Sequence, residues 1–366
     1  MRNQKRSVGR VILTYVLRLL LVVITIAALV VVGLSMVMDM IFNGPSPSAR
    51  DLLTMTLLEP SATKWIPGLF MGDEMVDRIK ADAENVEILE DVSVGGMVTI
   101  NSSTITGESN EWANYPDGIR IETIQGDTYT AHVMIIRDPS GVYLATSTDH
   151  FSIDIPGTRI NHQIETEGAI AAINAGAFND DGSVNSYVGS LPVGLVISEG
   201  KVAWDDGKIY EGFVGFNKDN ILVVANSMDA ETAMALDIRD GCCFGPVLLM
   251  DGKINEVEYS SNSGYNPRTA IGQRADGAVI FVCIDGRQVG SLGGTYTDLI
   301  NIMVEYGAVN ACNLDGGSSS VMLYRDEFGR YGTAGDVVMI NSYSLLQEAP
   351  RRMPTFFMVK PSVSEE

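Results

Sequence analysis

Residues 19–38 read LLLVVITIAALVVVGLSMVM, an uncharged apolar run that no water-exposed helix or strand tolerates. A bilayer core takes about 20 apolar residues in a helix, so the run is long enough to span. It exceeds the roughly 7–15 apolar residues of a cleaved signal peptide, which favours a retained anchor. A removed signal peptide, cut near the small residues at 46–49, is the alternative. The flanks orient the segment. Residues 1–50 carry Arg2, Lys5, Arg6, Arg10, Arg18 and Arg50 against Asp39 alone, a balance of +5. The whole chain totals −21, which leaves −26 for the remainder. Basic residues before the run place the N-terminus inside and residues after about 40 outside. The expected membrane partner is the bilayer itself, through residues 19–38.

An outer portion this acidic is unsuited to nucleic acid, which is bound chiefly by Lys and Arg at its phosphates. A hydrophobic content of 46% excludes a wholly disordered chain. His132, His150 and His162 form no H-E-x-x-H pattern. Cys242, Cys243, Cys283 and Cys312 include no C-x-x-C, so neither a zinc ribbon nor a redox motif is indicated. Neighbouring Cys242 and Cys243 cannot readily bond each other, although one of them has the option of a disulfide to another cysteine. Cys283 and Cys312 sit in apolar runs as small core residues.

The linker at 43–48 is rich in turn residues. Beyond it, residues 49–91 carry apolar side chains at helical spacing, with Leu52, Met55 and Leu58 in one piece and Met75, Val76 and Ile79 in another. Pro60 and Pro67-Gly68 are expected to separate them. From about residue 95 the pattern changes to short β-type runs punctuated by glycine. Glu199-Gly200 is a two-residue hairpin signal, and residues 129–137, 269–273, 278–284 and 309–314 read as strands. One helix is clear, capped by Thr297, with Leu299, Ile300, Met303 and Val304 on one face and Gly307 at its end. The predicted fold class is α+β, a mixed-sheet globular catalytic domain over 95–366 preceded by a cytoplasmic tail and transmembrane helix (1–38) and a linker with a short helical stalk (39–94).

Three segments place a polar residue and glycine at the end of an apolar strand, where a missing Cβ lets a ligand approach the backbone. They hold Asn174 and Gly176; Asp285, Arg287, Gly293 and Gly294; and Asp315, Gly316, Gly317 and Ser318. A fourth piece sets Arg268 and Thr269 at the head of a strand, and the planar fork of an arginine suits phosphate. The Gly-Gly-Ser-Ser-Ser run after Asp315 suits an anion-binding loop of N–H and hydroxyl donors. There is no phosphate-loop motif, no dinucleotide fingerprint and no G-x-S-x-G elbow.

These pieces carry a resemblance. NAGAF at 174–178, LPVG at 191–194, Gly245-Pro246, NPRTAIG at 266–272, DGR at 285–287 and NLDGGS at 313–318 occur in the order seen in the phosphodiester glycosidase family. The resemblance covers roughly residues 95–360. Ala177 departs from it, since family members often carry a bulky aromatic or glycine there. Bacterial members include proteins labelled as exopolysaccharide-related, often with a similar membrane-anchored layout. The resemblance implies hydrolysis of a sugar-1-phosphodiester. It makes Asp285 and Asp315 candidates for nucleophile or base, Asn174 a group orienting sugar hydroxyls, and Arg268, Thr269, Arg287, Gly176, Gly293, Gly294, Gly316, Gly317 and Ser318 candidates for substrate binding. No cofactor is required by the residues; calcium would suit an all-oxygen site, but no ligand loop is recognisable. The competing reading is a non-catalytic, membrane-tethered protein that binds or assembles envelope carbohydrate.

Overall fold

The computed structural model describes residues 8–58, 63–84, 92–100, 110–179, 188–255, 264–288, 290–343 and 349–361. Arg2, Lys5, Arg6, Pro60, Asp180 and positions 85–91 of the expected stalk lie outside the described residues. The chain forms two compact units, Met1–Asp82 and Ala83–Glu366.

The first unit begins with the helix Val8–Phe42, of which Ile12–Phe42 is long and apolar enough to cross a membrane. Its apolar side chains are exposed along that length, as lipid-facing groups would be. The segment is thus an anchor or a signal sequence. Three short helices follow, Pro47–Leu58, Ile66–Met71 and Asp73–Glu84. Phe42 is buried and stacks on Phe70, with ring centroids 5.4 Å apart. Val76 and Ile79 are buried as their helical spacing requires. Pro67-Gly68 lies between the two expected pieces, Pro47–Leu58 and Asp73–Glu84, which form separate helices. It starts the Ile66–Met71 helix, because a first-turn proline gives up an N–H that has no intrahelical partner.

The second unit is α+β, and all its strand ladders run antiparallel. Among the described residues the strands form sheets of six, seven and five strands and a separate two-stranded ribbon. Each large sheet turns one face to a shared core that includes Ile173, Val214, Phe281, Leu314 and Phe357. The opposite face of the seven-stranded sheet is covered by the helix Tyr296–Glu305 through Leu299, Ile302 and Met303. The helix Ile160–Glu167 covers the five-stranded sheet through Ile160 and Ile164. Because strands such as Val279–Ile284 are buried on both faces, their sequences are continuous apolar runs and do not alternate.

The Glu199-Gly200 turn forms as its residues predict, with both in the left-handed region. The helix Tyr296–Glu305 is capped by Thr295 and not by Thr297. The Thr295 side chain accepts from the Asp298 N–H, and the Asp298 carboxylate accepts from the Thr295 N–H, a reciprocal capping box. Thr297 lies within the first turn. Val304 is 49% exposed; the buried face uses Ile302 in its place. All four cysteines are free and buried, so the optional disulfide is not formed.

One connection decides where the chemistry can lie. The strand Val279–Ile284 leads through the Tyr296–Glu305 helix into the strand Ala308–Leu314, and the strand Arg268–Arg274 lies between the two, antiparallel to both. The outer strands therefore end at the edge where the central one begins. Asp285, Asp315, Arg268 and the helix N-terminus are delivered to the same end of the sheet.

Candidate functional site

The register fixes the neighbours. Thr269 is opposite Cys283 on one side and Leu314 on the other. Asp315 and Arg268 thus follow and precede one paired couple, and Gly316 lies so close to the central strand that a Cβ would come within 2.9 Å of the Pro267 carbonyl. The Gly317 N–H donates to that same carbonyl at 2.9 Å. Gly317 has φ +60°, which suits a residue without a Cβ.

Asn174, the last residue of the strand Ala171–Asn174, joins this loop to the five-stranded sheet. It is fully buried. Its Nδ2 donates to the Asp315 carbonyl at 2.5 Å, and its Oδ1 accepts from Thr269 Oγ1 at 2.9 Å and from the Val321 N–H at 3.1 Å. The Asp315 N–H donates to the Ala175 carbonyl at 3.0 Å. The backbone of Asp315 is therefore held from both sides, leaving its half-buried side chain at the loop's head.

Arg268 is 2% exposed. Its guanidinium lies 4.3 Å from the centroid of the Tyr296 ring, and its Nε donates to the Gly294 carbonyl at 3.2 Å. Gly293, at φ +123°, and Gly294 pass directly against Asn266 and Ile284: a Cβ on Gly293 would sit 2.5 Å from the Asn266 backbone. These two glycines let the loop close around Arg268. Gly176 has a packing role of the same kind, with a Cβ there meeting Cys242 at 2.9 Å. Arg287, itself in the left-handed region, donates from Nη2 to Asn266 Oδ1 at 3.0 Å and lies beside Gly317.

Asp285 is nearly buried, and both its carboxylate oxygens are engaged. Oδ2 is 3.3 Å from His132 Nε2, and Oδ1 accepts from the Ser342 N–H at 2.9 Å. His132 Nδ1 in turn lies 3.1 Å from Thr123 Oγ1. Burial drives the Cys283 thiol well above its ordinary pKa, and the Asp285 charge adds to the rise.

The segment after Ser342 returns to the loop. Tyr343 donates its hydroxyl proton to the Ser318 carbonyl at 2.5 Å and accepts from the Arg351 N–H at 3.2 Å. Arg351 Nη1 is 3.2 Å from Ser318 Oγ, and the guanidinium stacks 4.6 Å from the Phe178 ring centroid. Burial raises the Tyr343 pKa, the cations Arg351 and Arg159 oppose that rise, and the Asp315 carboxylate adds to it.

Beside Tyr296 opens a cleft of about 340 Å³ lined chiefly by Ala177, Tyr210, Glu211, Phe244, Pro246 and Tyr296. Ala177, the departure from the family pattern, forms part of its wall. Asn313 ties this wall to the Asp315 strand, with Nδ2 on the Gly245 carbonyl at 2.8 Å and its N–H on the Pro246 carbonyl at 3.0 Å. Among the described residues no three His, Cys, Asp or Glu side chains converge to hold a metal ion.

The structure gathers the Asp315–Ser318 loop with Asn174, Arg268, Thr269, Arg287, Gly293 and Gly294. Gly176 stands two residues further along, at the Cys242 contact. Sequence reasoning missed His132, Tyr296, Ser342, Tyr343 and Arg351. His132 had a signal in plain view, a single ionisable residue inside an otherwise apolar strand, and Arg351-Arg352 is a basic pair in an acidic chain.

Comparison with known proteins agrees with this architecture. The SPbeta prophage-derived uncharacterized protein YomE of Bacillus subtilis (strain 168) is 29% identical over 191 residues, covering 50% of this chain and 27% of that protein. The chain therefore spans only about a quarter of that relative. The catalytic domain of zebrafish N-acetylglucosamine-1-phosphodiester alpha-N-acetylglucosaminidase, auto-inhibited by its pro-peptide, superposes with a TM-score of 0.50 at 20% identity, covering 68% of this chain and 85% of that one, a likeness of fold. A hypothetical protein from Synechocystis aligns at a TM-score of 0.42 and 16% identity, covering 66% of this chain and 61% of that chain. A family profile for phosphodiester glycosidases matches residues 167–360, more than half of the chain and inclusive of the Asn174, Arg268 and Asp315 segments. The chain belongs to the phosphodiester glycosidase family.

Proposed function

We propose that the protein is a hydrolase that cleaves a sugar-1-phosphodiester bond in a cell-envelope or exopolysaccharide glycan, with residues 19–38 as a retained membrane anchor and the sheet domain outside. The observation that carries the reading is the Asp315–Ser318 loop, clamped by Asn174 and Ala175 and set between Arg268 and Arg287 at one sheet edge. Water adds to the anomeric carbon as the carbon–oxygen bond to phosphate breaks, giving a free sugar and a phosphomonoester. The leaving phosphate is weakly basic, so stabilising its charge matters more than protonating it. Arg268 and Arg287 hold the phosphate oxygens together with the hydroxyl of Ser318, while Thr269, buried with its hydroxyl given to Asn174, and Gly293, Gly294 and Gly317, whose N–H groups are given to backbone carbonyls, shape the site around them. Asp315 acts at the anomeric carbon as nucleophile or base.

Asp285 takes a different role from Asp315. A carboxylate that is 3% exposed and already bonded to His132 and the Ser342 N–H serves best by orienting the Ser342–Tyr343 segment against Ser318. Asn174 likewise spends both ends of its amide on the protein, so it shapes the Asp315 loop and leaves the sugar hydroxyls to the cleft beside Tyr296.

The test is hydrolysis of a synthetic methyl N-acetylglucosaminyl phosphodiester in water enriched in heavy oxygen. Label in the released sugar supports the reading, and label in the phosphate opposes it. Binding of such compounds by the folded chain without turnover would make it a glycan-binding protein.

A further inference from the structure

A chain with a net charge of −21 gathers cations at one place. The two-stranded ribbon pairs Arg159 directly with Arg352. Cross-strand neighbours have Cβ atoms about 4.5–5.5 Å apart, and like charges so placed repel. Neither arginine is answered by a carboxylate among the described residues: Arg159 binds the Pro350 carbonyl, and Arg352 Nη1 donates to the Gly157 carbonyl at 3.0 Å. Carbonyl contacts orient a guanidinium without neutralising it. Arg351, next in the chain, reaches Ser318 Oγ, and its N–H donates to the Tyr343 hydroxyl, which donates to the Ser318 carbonyl. The cationic ribbon is therefore continuous with the rim of the Asp315 loop.

We propose that Arg159, Arg351 and Arg352 form a subsite for a second anionic group of the substrate, one repeat away from the scissile phosphate, so that the enzyme acts within a polyanionic chain. This inference rests on the reading of the Asp315 loop as the reaction centre and assigns the substrate class of that site. An adjoining anion would relieve the Arg159–Arg352 repulsion on binding. It would also draw a negatively charged polymer onto a protein that otherwise repels it. The anionic group is a phosphate diester or a uronic carboxylate, both of which a guanidinium fork bonds in pairs.

The experiment uses the full chain in detergent micelles and three synthetic substrates. One is the methyl sugar phosphodiester with a single charge, one carries a second phosphodiester on the aglycone, and one carries a carboxylate there. The expected result is a kcat/KM about tenfold higher for one two-charge substrate, an advantage that shrinks as salt is added. Which of the two gains identifies the anion. Arg352→Gln should abolish the advantage while leaving the single-charge substrate unchanged, and Arg352→Lys should restore part of it. Equal kcat/KM for all three substrates in the wild type, or an advantage that survives in Arg352→Gln, overturns the proposal. Binding gives a separate readout: calorimetry with a glycerol phosphate trimer and with glycerol phosphate alone needs no turnover. If the trimer binds no tighter than the monomer the subsite is absent, whether or not the sugar phosphodiester is hydrolysed. Failure of hydrolysis with tighter trimer binding condemns only the catalytic assignment.

Discussion

Replacing Asn174 with alanine tests the clamp on which the site depends. The substitution removes three hydrogen bonds at a position with no exposure: the donor to the Asp315 carbonyl, and the acceptor shared by the Thr269 hydroxyl and the Val321 N–H. Thr269 is equally buried, so water cannot readily take the place of the lost oxygen. At about 1–1.5 kcal/mol for each bond, the loss comes to about 3–4 kcal/mol, a large part of the roughly 5–15 kcal/mol by which domains are stable. For a domain of this size that is roughly 5–7 °C in Tm. The assay is thermal unfolding of the full chain in detergent, followed by near-ultraviolet circular dichroism and set beside kcat on a sugar phosphodiester. Asn174→Asp keeps the acceptor but sets a buried carboxylate oxygen against the Asp315 carbonyl, so it should be at least as unstable as the alanine variant. A loss below about 1 kcal/mol in the alanine variant would show that the three bonds are exchanged freely with solvent and that the loop is not held from the five-stranded sheet.

The two aspartates should separate in kinetics. Asp315→Asn is expected to lower kcat by about a thousandfold with the fold intact, whereas Asp285→Asn should lower it less and also raise KM by loosening the Ser342–Tyr343 segment; equal losses would refute the division of roles. Burial pushes the Cys243 thiol up to about 11, and the other three thiols are also raised. Near pH 8 the thiolate is then scarce, so a thiol reagent should label none of the four cysteines within minutes in the native chain and all of them in concentrated guanidinium chloride. For Asp326, burial raises the pKa, but the N–H groups of Tyr331, Arg330 and Gly332 outweigh it and hold the carboxyl below its ordinary value. Its contribution to stability should be complete above about pH 4, the unfolded value, and vanish as pH falls through the lower folded one. Acid unfolding of Asp326→Ala should lack that component.

The parts of the fold legible in the sequence are those written in local chemistry. Glu199-Gly200 declares its hairpin by needing two left-handed residues, and the uncharged run at 19–38 declares its helix by length. The strands that end at Asp285 and Asp315 were visible as apolar runs closed by Asp-Gly. Which strand lies between them was not, because antiparallel register depends on contacts between segments far apart in the chain. Only the insertion of Arg268–Arg274 brings Arg268 beside Asp315. The cap of the Tyr296–Glu305 helix was misplaced by two residues since Thr295 and Thr297 both fit a capping pattern by type, and the reciprocal bond with Asp298 chose between them. The pairing of His132 with Asp285 spans 153 positions and leaves no periodic trace.

The strand Thr355–Val359 lies between Ala171–Asn174 and Val142–Thr146, and its Phe356 is the direct neighbour of Asn174. The residue that grips the Asp315 loop is thus locked into its sheet by a strand far downstream of it in the chain. A chain folded only as far as the seven-stranded sheet would hold the Asp315 loop and still lack the scaffold that aims it.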